Sequence, residues 1–176
     1  LRRAASVYKS TSEGILITDL DGTIKEVNQA FCNITGYTES EVKGKNASLL
    51  SSGRHDEAFY QTIWKSLQTS QAWQGEIWNR KKNGVIYPEF LTINAVQNNA
   101  GIITDYVGVF SDVSNLKQTE DQLNHLTTHD PLTGLINRTL FIEHLEHALQ
   151  RAKRSNKLVA VFLIDIDNFK NINDSL

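Results

Sequence analysis

The sequence predicts an α+β fold in which a five-stranded antiparallel sheet carries helices on one face. Strand-like runs bracket a helix-rich middle and do not alternate regularly with helices, which argues against a doubly wound parallel sheet. Asp-Gly and Asn-Gly pairs between two sets of β-prone runs mark tight hairpins. The chain should therefore fold as two hairpins, a helical insert and one further strand.

The first two strands are predicted at residues 14–19 and 23–28, which an Asp-Gly turn separates. A short helix should follow, because Phe31, Ile34 and Tyr37 recur at near-helical spacing.

The next two helices are predicted from a cap and from an apolar stripe. Thr38 and Glu41 have the spacing of a capping box, and Gly44 suits the end of that short helix. A longer helix between residues 55 and 70 should pack on the sheet through its apolar positions, which are Phe59, Ile63, Trp64 and Leu67.

The second hairpin is predicted at residues 73–82 and 85–96 across Asn83-Gly84, and the last strand at 102–110. Pro88 has no N–H to donate, so its position should face a gap, a bulge or solvent.

Residues 114–128 form a polar linker helix in this interpretation. Apolar or small residues at heptad positions, namely Leu116, Thr119, Leu123 and Leu126, are typical of a short two-stranded coiled coil. A helix lying on its own domain explains the pattern equally well.

Residues 129–176 read as the beginning of a second domain. An amphipathic helix is expected from 139 to about 153, followed by a strand at 158–165 (LVAVFLID) that is apolar on both faces. Because that strand has no neighbours of its own in this chain, we expect contact with a second molecule to order the segment. The alternative is that the segment folds back on the first domain.

The composition excludes several classes of protein. The chain has 176 residues, a net charge of −2 and 40% hydrophobic residues, which fits neither a disordered chain nor a nucleic-acid-binding one. No apolar run reaches the roughly 20 residues that span a bilayer. The single cysteine, Cys32, excludes an intrachain disulfide and favours a reducing, cytoplasmic location.

The first 113 residues resemble a PAS sensory domain. The blocks VNQAFCNITGY, GEIWNRKKNGVIYP and YVGVFSDVS are similar to those of PAS domains in bacterial second-messenger enzymes, and Asp112-Val113-Ser114 matches the element that closes many of them. The resemblance implies a PAS fold with an internal cavity.

Residues 129–176 resemble the start of a diguanylate cyclase (GGDEF) domain, through HDPLTGLINR and FLIDIDNFKNIND. That family condenses two GTP molecules into cyclic di-GMP with Mg²⁺. The resemblance implies that Asp165 and the Ile166 carbonyl bind the metal, that Phe169 and Lys170 meet phosphates, and that Asn173 touches guanine. A strand-end carboxylate and a following turn suit a hard cation and phosphate.

The GG(D/E)EF signature itself does not occur in this sequence. We therefore expect this chain alone to make no cyclic di-GMP, and we expect the parent protein to be a diguanylate cyclase. The alternative is a degenerate GGDEF domain that only binds nucleotide or partners.

A flavin is the sharpest hypothesis for the cavity. Trp73 and Asn79 match positions that line the isoalloxazine site in FAD-binding PAS redox sensors, where an indole offers a stacking surface and an amide bonds the ring edge. Light-driven adduct formation is excluded, because Ala47 stands where light-sensing relatives have cysteine. Haem ligation by His55, another small molecule and an empty cavity are the alternatives.

Together these features predict a homodimeric, cytoplasmic signal-input protein. The state of the PAS domain, residues 1–113, would pass through the linker helix, 114–128, to the cyclase part, 129–176. A ligand-free dimerisation and interaction module is the alternative function.

Overall fold

A computed structural model describes residue 8, residues 10–165 and residues 167–168. The chain divides into two compact units, residues 1–119 and 120–176. In the first unit the strands are β1 (Gly14–Thr18), β2 (Ile24–Val27), β3 (Ala72–Arg80), β4 (Ile86–Gln97) and β5 (Ile103–Asp112). Between β2 and β3 lie α1 (Gln29–Thr35), α2 (Glu39–Val42), a short 3-10 helix (Ala47–Leu50) and α3 (Glu57–Ser70).

The five strands form one antiparallel sheet in the order β2-β1-β5-β4-β3. The two predicted hairpins are present, and β5 joins them by pairing with β1 on one side and β4 on the other. The predicted α+β class and the antiparallel five-stranded sheet are confirmed. Helix α3 packs against β3 and β4, as the apolar stripe indicated.

The core lies on the helical face of the sheet. Its fully buried side chains include Ile24, Phe31, Val42, Leu67 and Phe110. The rings of Phe31 and Phe110 meet edge to face with centroids 5.8 Å apart. Gly14 of β1 permits this packing, because a Cβ there would lie 2.3 Å from the Phe110 ring.

Capping side chains and a turn glycine mark where these helices and strands begin and end. The Asn28 side chain accepts from the backbone N–H of Phe31 and so caps α1. Glu41 accepts from the backbone N–H of Thr38, which is the expected bond of the capping box. Gly84 takes a φ of +88° at the β3–β4 turn, a conformation that favours glycine.

Pro88 lies in an interior strand without losing a ladder bond. Its carbonyl accepts from the Val113 N–H, just after β5 ends at Asp112. The nitrogen of Pro88 thus faces the end of β5, where β-ladder pairing stops. This agrees with the expectation that the missing N–H would face a gap.

The linker helix is α4 (Ser114–Thr128), and it has no buried residue. In the second unit, α5 (Arg138–Ser155) begins at its cap Asn137, whose side chain accepts from the Leu140 N–H. The amphipathic helix predicted there is present.

The strand predicted at residues 158–165 is not formed, so that prediction is wrong for this chain. Leu158 and Leu163 are 99% and 98% exposed. A strand needs hydrogen-bonding neighbours, and all five strands that the structure describes belong to the first unit's sheet. Among the described residues, no helix is long and apolar enough to cross a membrane.

Candidate functional site

A cavity of about 370 Å³ lies between the inner face of the sheet and the helices that cover it. Its walls are mainly aliphatic and aromatic, and no Lys, Arg or His is among the described residues that line it. The polar lining residues are Thr18, Asn46, Ser48, Ser51, Tyr60, Asn79, Glu89 and Tyr106.

The β3–β4 hairpin brings an amide and a carboxyl group together in the cavity wall. Its register pairs Ile77 with Glu89 and Asn79 with Tyr87. Because alternate residues of a strand share a face, Asn79 and Glu89 both point inward. The Asn79 Nδ2 donates to Glu89 Oε1 at 2.8 Å, and the Tyr87 hydroxyl donates to Glu89 Oε2 at 2.6 Å.

Burial dominates the electrostatics of this cluster. Glu89 is 1% exposed, and burial raises its pKa to about 7, although the hydrogen bonds from Tyr87 and Asn79 act in the opposite direction. The pKa of Tyr87 is raised as well, first by burial and then by the charge of Glu89. Asp112, directly opposite Glu89 on β5, also raises the pKa of Glu89.

The amide oxygen of Asn79 remains available inside the cavity. The Asn79 side chain donates to Glu89, but its Oδ1 accepts no hydrogen bond within the described part of the chain. The Thr18 hydroxyl, on β1, lines the same cavity. These atoms and the remaining lone pairs of Glu89 can receive donors from a bound molecule.

Trp73 is on the inner face but does not line the cavity. Its indole stacks edge to face with Phe59 of α3, with centroids 6.2 Å apart, and lies over Gly75. A Cβ at Gly75 would be 2.9 Å from this indole, so the glycine makes room for it. Of the two residues proposed for flavin binding, the structure brings Asn79 to the cavity and places Trp73 in the packing beside it.

His55, the alternative haem ligand, is engaged elsewhere. Its Nε2 accepts from the backbone N–H of Trp78 at 2.9 Å, and its ring stacks on Phe59 at 3.9 Å. The histidine thereby covers the outer edge of β3, where an exposed N–H would invite another strand. It does not line the cavity, so the geometry gives haem no support.

Cys32 does not take the place of the cysteine that light-sensing relatives carry at the position of Ala47. Ala47 lines the cavity, whereas Cys32 lies on α1, away from that wall. Burial raises the pKa of the Cys32 thiol, which keeps it protonated and unreactive.

A continuous set of contacts leads from the cavity to the linker helix. The Lys81 ammonium lies 4.7 Å from the centre of the Tyr87 ring and 2.7 Å from Asp112 Oδ2. The other oxygen of Asp112 accepts from the N–H of Ser114, the first residue of α4. Burial alone would raise the pKa of Asp112, but the hydrogen bonds from Lys81 and Ser114 hold it below its usual value.

Of the residues implied for the cyclase site, Asp165 is exposed in the second unit. Ile166, Phe169, Lys170 and Asn173 lie outside the described residues. Within the described ranges, no three His, Cys, Asp or Glu side chains cluster as a metal site would require.

The fold and its walled cavity define a small sensory domain of the PAS type. Residues 12–115 match the PAS domain family, and residues 127–176 match the diguanylate cyclase GGDEF domain. The chain belongs to the PAS domain family, and its PAS domain is followed by the N-terminal part of a GGDEF domain.

Similar proteins come from signalling systems. The chain is 31% identical over 123 residues to a nitrogen fixation regulatory protein of Klebsiella oxytoca, covering 69% of this chain and 25% of that protein. It is 26% identical to the cyclic di-GMP phosphodiesterase PdeR of Escherichia coli (strain K12), covering 98% of this chain and 26% of that protein. The chain thus spans about a quarter of the length of these relatives.

A solved light-oxygen-voltage domain, described with a flavin analogue, superposes with a TM-score of 0.58 at 25% identity. The match covers 69% of this chain and 96% of that one.

Proposed function

We propose that this chain is the sensory part of a cyclic di-GMP signalling protein, in which a ligand in the PAS cavity controls a GGDEF output through helix α4. The observation that carries the proposal is the set of contacts from the cavity residue Glu89 to Ser114, the first residue of α4, by way of Tyr87, Lys81 and Asp112.

We propose that the ligand of the cavity is a flavin, and specifically FAD. The volume of about 370 Å³ is near the lower end of the roughly 300–1,000 Å³ usual for ligand sites, so it suits a three-ring system but not a whole dinucleotide. The apolar walls and the available Asn79 Oδ1 suit a planar ring with one polar edge. A bound flavin would supply redox chemistry. Asn79 would orient its polar edge, and Trp73 would support the wall from outside.

Asp112 makes the coupling to α4 sensitive to charge. Lys81 is shared between the Tyr87 ring and the Asp112 carboxylate, and it is only 26% exposed. A change in the hydrogen bonding of Glu89 alters Tyr87, which in turn shifts the balance of Lys81 between its two partners. Lys117, one turn into α4, also pairs with Glu76 of β3 at 2.5 Å, so the start of the helix is held at two points.

Dimerisation would convert this local change into an output signal. Leu116, Leu123 and Leu126 are 59%, 56% and 61% exposed on α4, at the heptad positions of a two-stranded coiled coil. In a homodimer, a shift in helix register reorients whatever follows without touching its catalytic groups.

For the output we propose cyclic di-GMP synthesis from two GTP with Mg²⁺ in the complete cytoplasmic protein. Asp165 and the Ile166 carbonyl would bind the metal, and Phe169, Lys170 and Asn173 would bind the nucleotide. The present chain should show no turnover with GTP and Mg²⁺.

A second candidate is an interaction module with a degenerate GGDEF domain. The similarity to a cyclic di-GMP phosphodiesterase across 98% of this chain favours it, since that protein is named for the opposite reaction. The presence of an intact GG(D/E)EF signature in the complete protein decides between the two.

The test of ligand binding is reconstitution. The purified chain is unfolded, refolded with FAD and separated from free cofactor, and its absorption between 350 and 500 nm is recorded. We expect the refolded protein to show the absorption spectrum of bound flavin. Asn79→Ala should lower the affinity for FAD at least tenfold. Asn94→Ala, at an exposed position of β4, is the matched control and should bind normally. Protein that folds but retains no flavin would contradict FAD binding.

A further inference from the structure

Two histidines lie one turn apart at the C-terminal end of helix α4, in the second unit. The backbone N–H of His129 donates to the carbonyl of His125 at 2.8 Å, so the helical hydrogen-bonding pattern reaches His129. Residues at i and i+4 share one face of a helix. Their imidazole rings are stacked, with centroids 4.2 Å apart and planes inclined by 21°. Because His125 is exposed and His129 is half-buried, the pair is open to a ligand from solvent.

Hydrogen bonding fixes which nitrogen of His129 carries the proton. The Thr128 hydroxyl has one proton and donates it to the carbonyl of Asn124, its shortest contact, at 2.5 Å. In the 2.9 Å contact between Thr128 Oγ1 and His129 Nδ1, the donor is therefore Nδ1–H. A neutral ring in this tautomer has its lone pair on Nε2, which can serve as a metal ligand.

The two rings converge away from the helix. Cβ atoms at i and i+4 are about 5–6 Å apart, whereas the ring centroids here are 4.2 Å apart. The Nε2 atoms lie beyond the centroids, so they are closer together than the Cβ atoms. Two nitrogens that each sit about 2.0–2.1 Å from one tetrahedral ion are separated by roughly 3.3 Å. Rings that are already in contact reach this spacing by side-chain rotation, without movement of the helix.

The backbone that carries the pair is held in place. Asn137, the cap of α5, donates from its backbone N–H to the Thr128 carbonyl and from Nδ2 to the Thr127 carbonyl, in both cases at 2.8 Å. The last carbonyls of α4 are thus satisfied by the residue that begins the next helix. A positive ion beside this end of α4 is also favoured by the negative end of the helix dipole.

The other three histidines of the chain lack this arrangement. His55 uses its Nε2 to accept from the Trp78 N–H. His144 and His147 are exposed on α5 at i and i+3, and no stacking of their rings is found in the part of the chain that the structure describes. These two residues therefore provide a matched control for the pair on α4.

We propose that His125 and His129 form a binding site for a divalent transition-metal ion such as Zn²⁺, held by the two Nε2 atoms and completed by water. Imidazole suits Zn²⁺, Ni²⁺ and Cu²⁺, whereas Mg²⁺ prefers oxygen ligands. With two protein ligands the site is weaker and more readily exchanged than a closed four-ligand site. A bound ion would cross-link the last turn of α4 and stiffen the point where the linker helix ends. The site is independent of the cavity ligand and of the proposed cyclase output.

Isothermal titration calorimetry with ZnCl₂ tests the site on the purified 176-residue chain, prepared without a histidine tag and in a buffer that does not bind metals. We expect one Zn²⁺ to bind per chain and MgCl₂ to give no binding signal. His125→Ala and His129→Ala each leave a single imidazole and should weaken Zn²⁺ binding at least tenfold. His144→Ala combined with His147→Ala removes two exposed imidazoles and should bind Zn²⁺ as wild type does.

Thr128 is tested as a positioning residue. Thr128→Ala removes the acceptor of the His129 Nδ1–H and should lower the affinity for Zn²⁺ about tenfold, whereas Thr128→Ser keeps the hydroxyl and should retain most of it. Long-range ¹H–¹⁵N NMR spectra of the metal-free chain report the tautomer of His129, which should be Nδ1–H in wild type.

Circular dichroism establishes that each variant is folded, and the exposed His125 is the position where substitution disturbs the fold least. The absence of saturable Zn²⁺ binding by the wild-type chain would overturn the proposal. So would an affinity that His125→Ala and His129→Ala leave unchanged, or binding that is lost when only His144 and His147 are replaced.

Discussion

Replacing Glu89 by Gln should change how the stability of the PAS unit depends on pH. In the folded chain the pKa of Glu89 is raised from 4.5 to about 7, chiefly by burial. Between these values the unfolded chain releases the proton and the folded chain keeps it. The free energy of unfolding therefore falls as pH rises through this range and levels off above about pH 7.

The size of the effect follows from the shift. One pKa unit corresponds to about 1.4 kcal/mol, so a rise from 4.5 to about 7 costs the folded state roughly 3 kcal/mol once Glu89 is ionised. Glutamine cannot ionise, and it can still accept from Asn79 and donate to Tyr87. The difference in unfolding free energy between Glu89→Gln and wild type should therefore grow by about 3 kcal/mol in favour of the variant from pH 4.5 to pH 8.

Urea denaturation at pH 5, 6, 7 and 8, followed by tryptophan fluorescence, measures this difference. All three tryptophans, Trp64, Trp73 and Trp78, lie in the first unit, so the signal reports the PAS fold alone. Glu26→Gln, at an exposed position on β2, is the control and should show no such trend. A difference between wild type and Glu89→Gln that stays constant from pH 5 to 8 would refute the electrostatic argument.

Three further changes test the packing and the assembly. His55→Ala removes the acceptor of the Trp78 N–H and should cost about 1–2 kcal/mol in urea denaturation; an unchanged midpoint would show that the β3 edge needs no cover. Gly14→Ala forces a Cβ toward the Phe110 ring and should lower stability by about 1–3 kcal/mol in thermal denaturation, unless that ring moves at no cost. Leu123→Asp should convert a dimer to a monomer in light scattering, and a wild type that is monomeric at high concentration contradicts the coiled coil.

Most of the PAS fold could be predicted from the sequence, because the signals that specify it are local. The Asp-Gly and Asn-Gly turns, the capping box at Thr38 and the apolar stripe of α3 each specify structure within a few residues. The failed prediction concerned residues 158–165, where an apolar run indicates a buried strand but its pairing partners must come from elsewhere.

The candidate site was less accessible to sequence reasoning. Asn79 was identified, but Glu89 and Tyr87 were missed, although both lie on the inward face of β4 together with Leu91 and Ile93. A charged residue at an inward position of a strand is the signal that could have found them. Trp73 was predicted to line the flavin site, but the sequence could not show that its indole packs over Gly75 and against Phe59, beside the cavity.

Amide hydrogen exchange at the start of α4 tests the central claim, that the cavity is coupled to the linker helix through Lys81 and Asp112. The chain loaded with FAD is compared in its oxidised and dithionite-reduced states, for wild type and for Lys81→Met, which leaves the cavity lining unchanged. We predict that the protection of residues 113–117 differs severalfold between the two states in wild type and that Lys81→Met, still binding FAD, loses the difference. Equal exchange in both states, or a full response in Lys81→Met, would contradict the account.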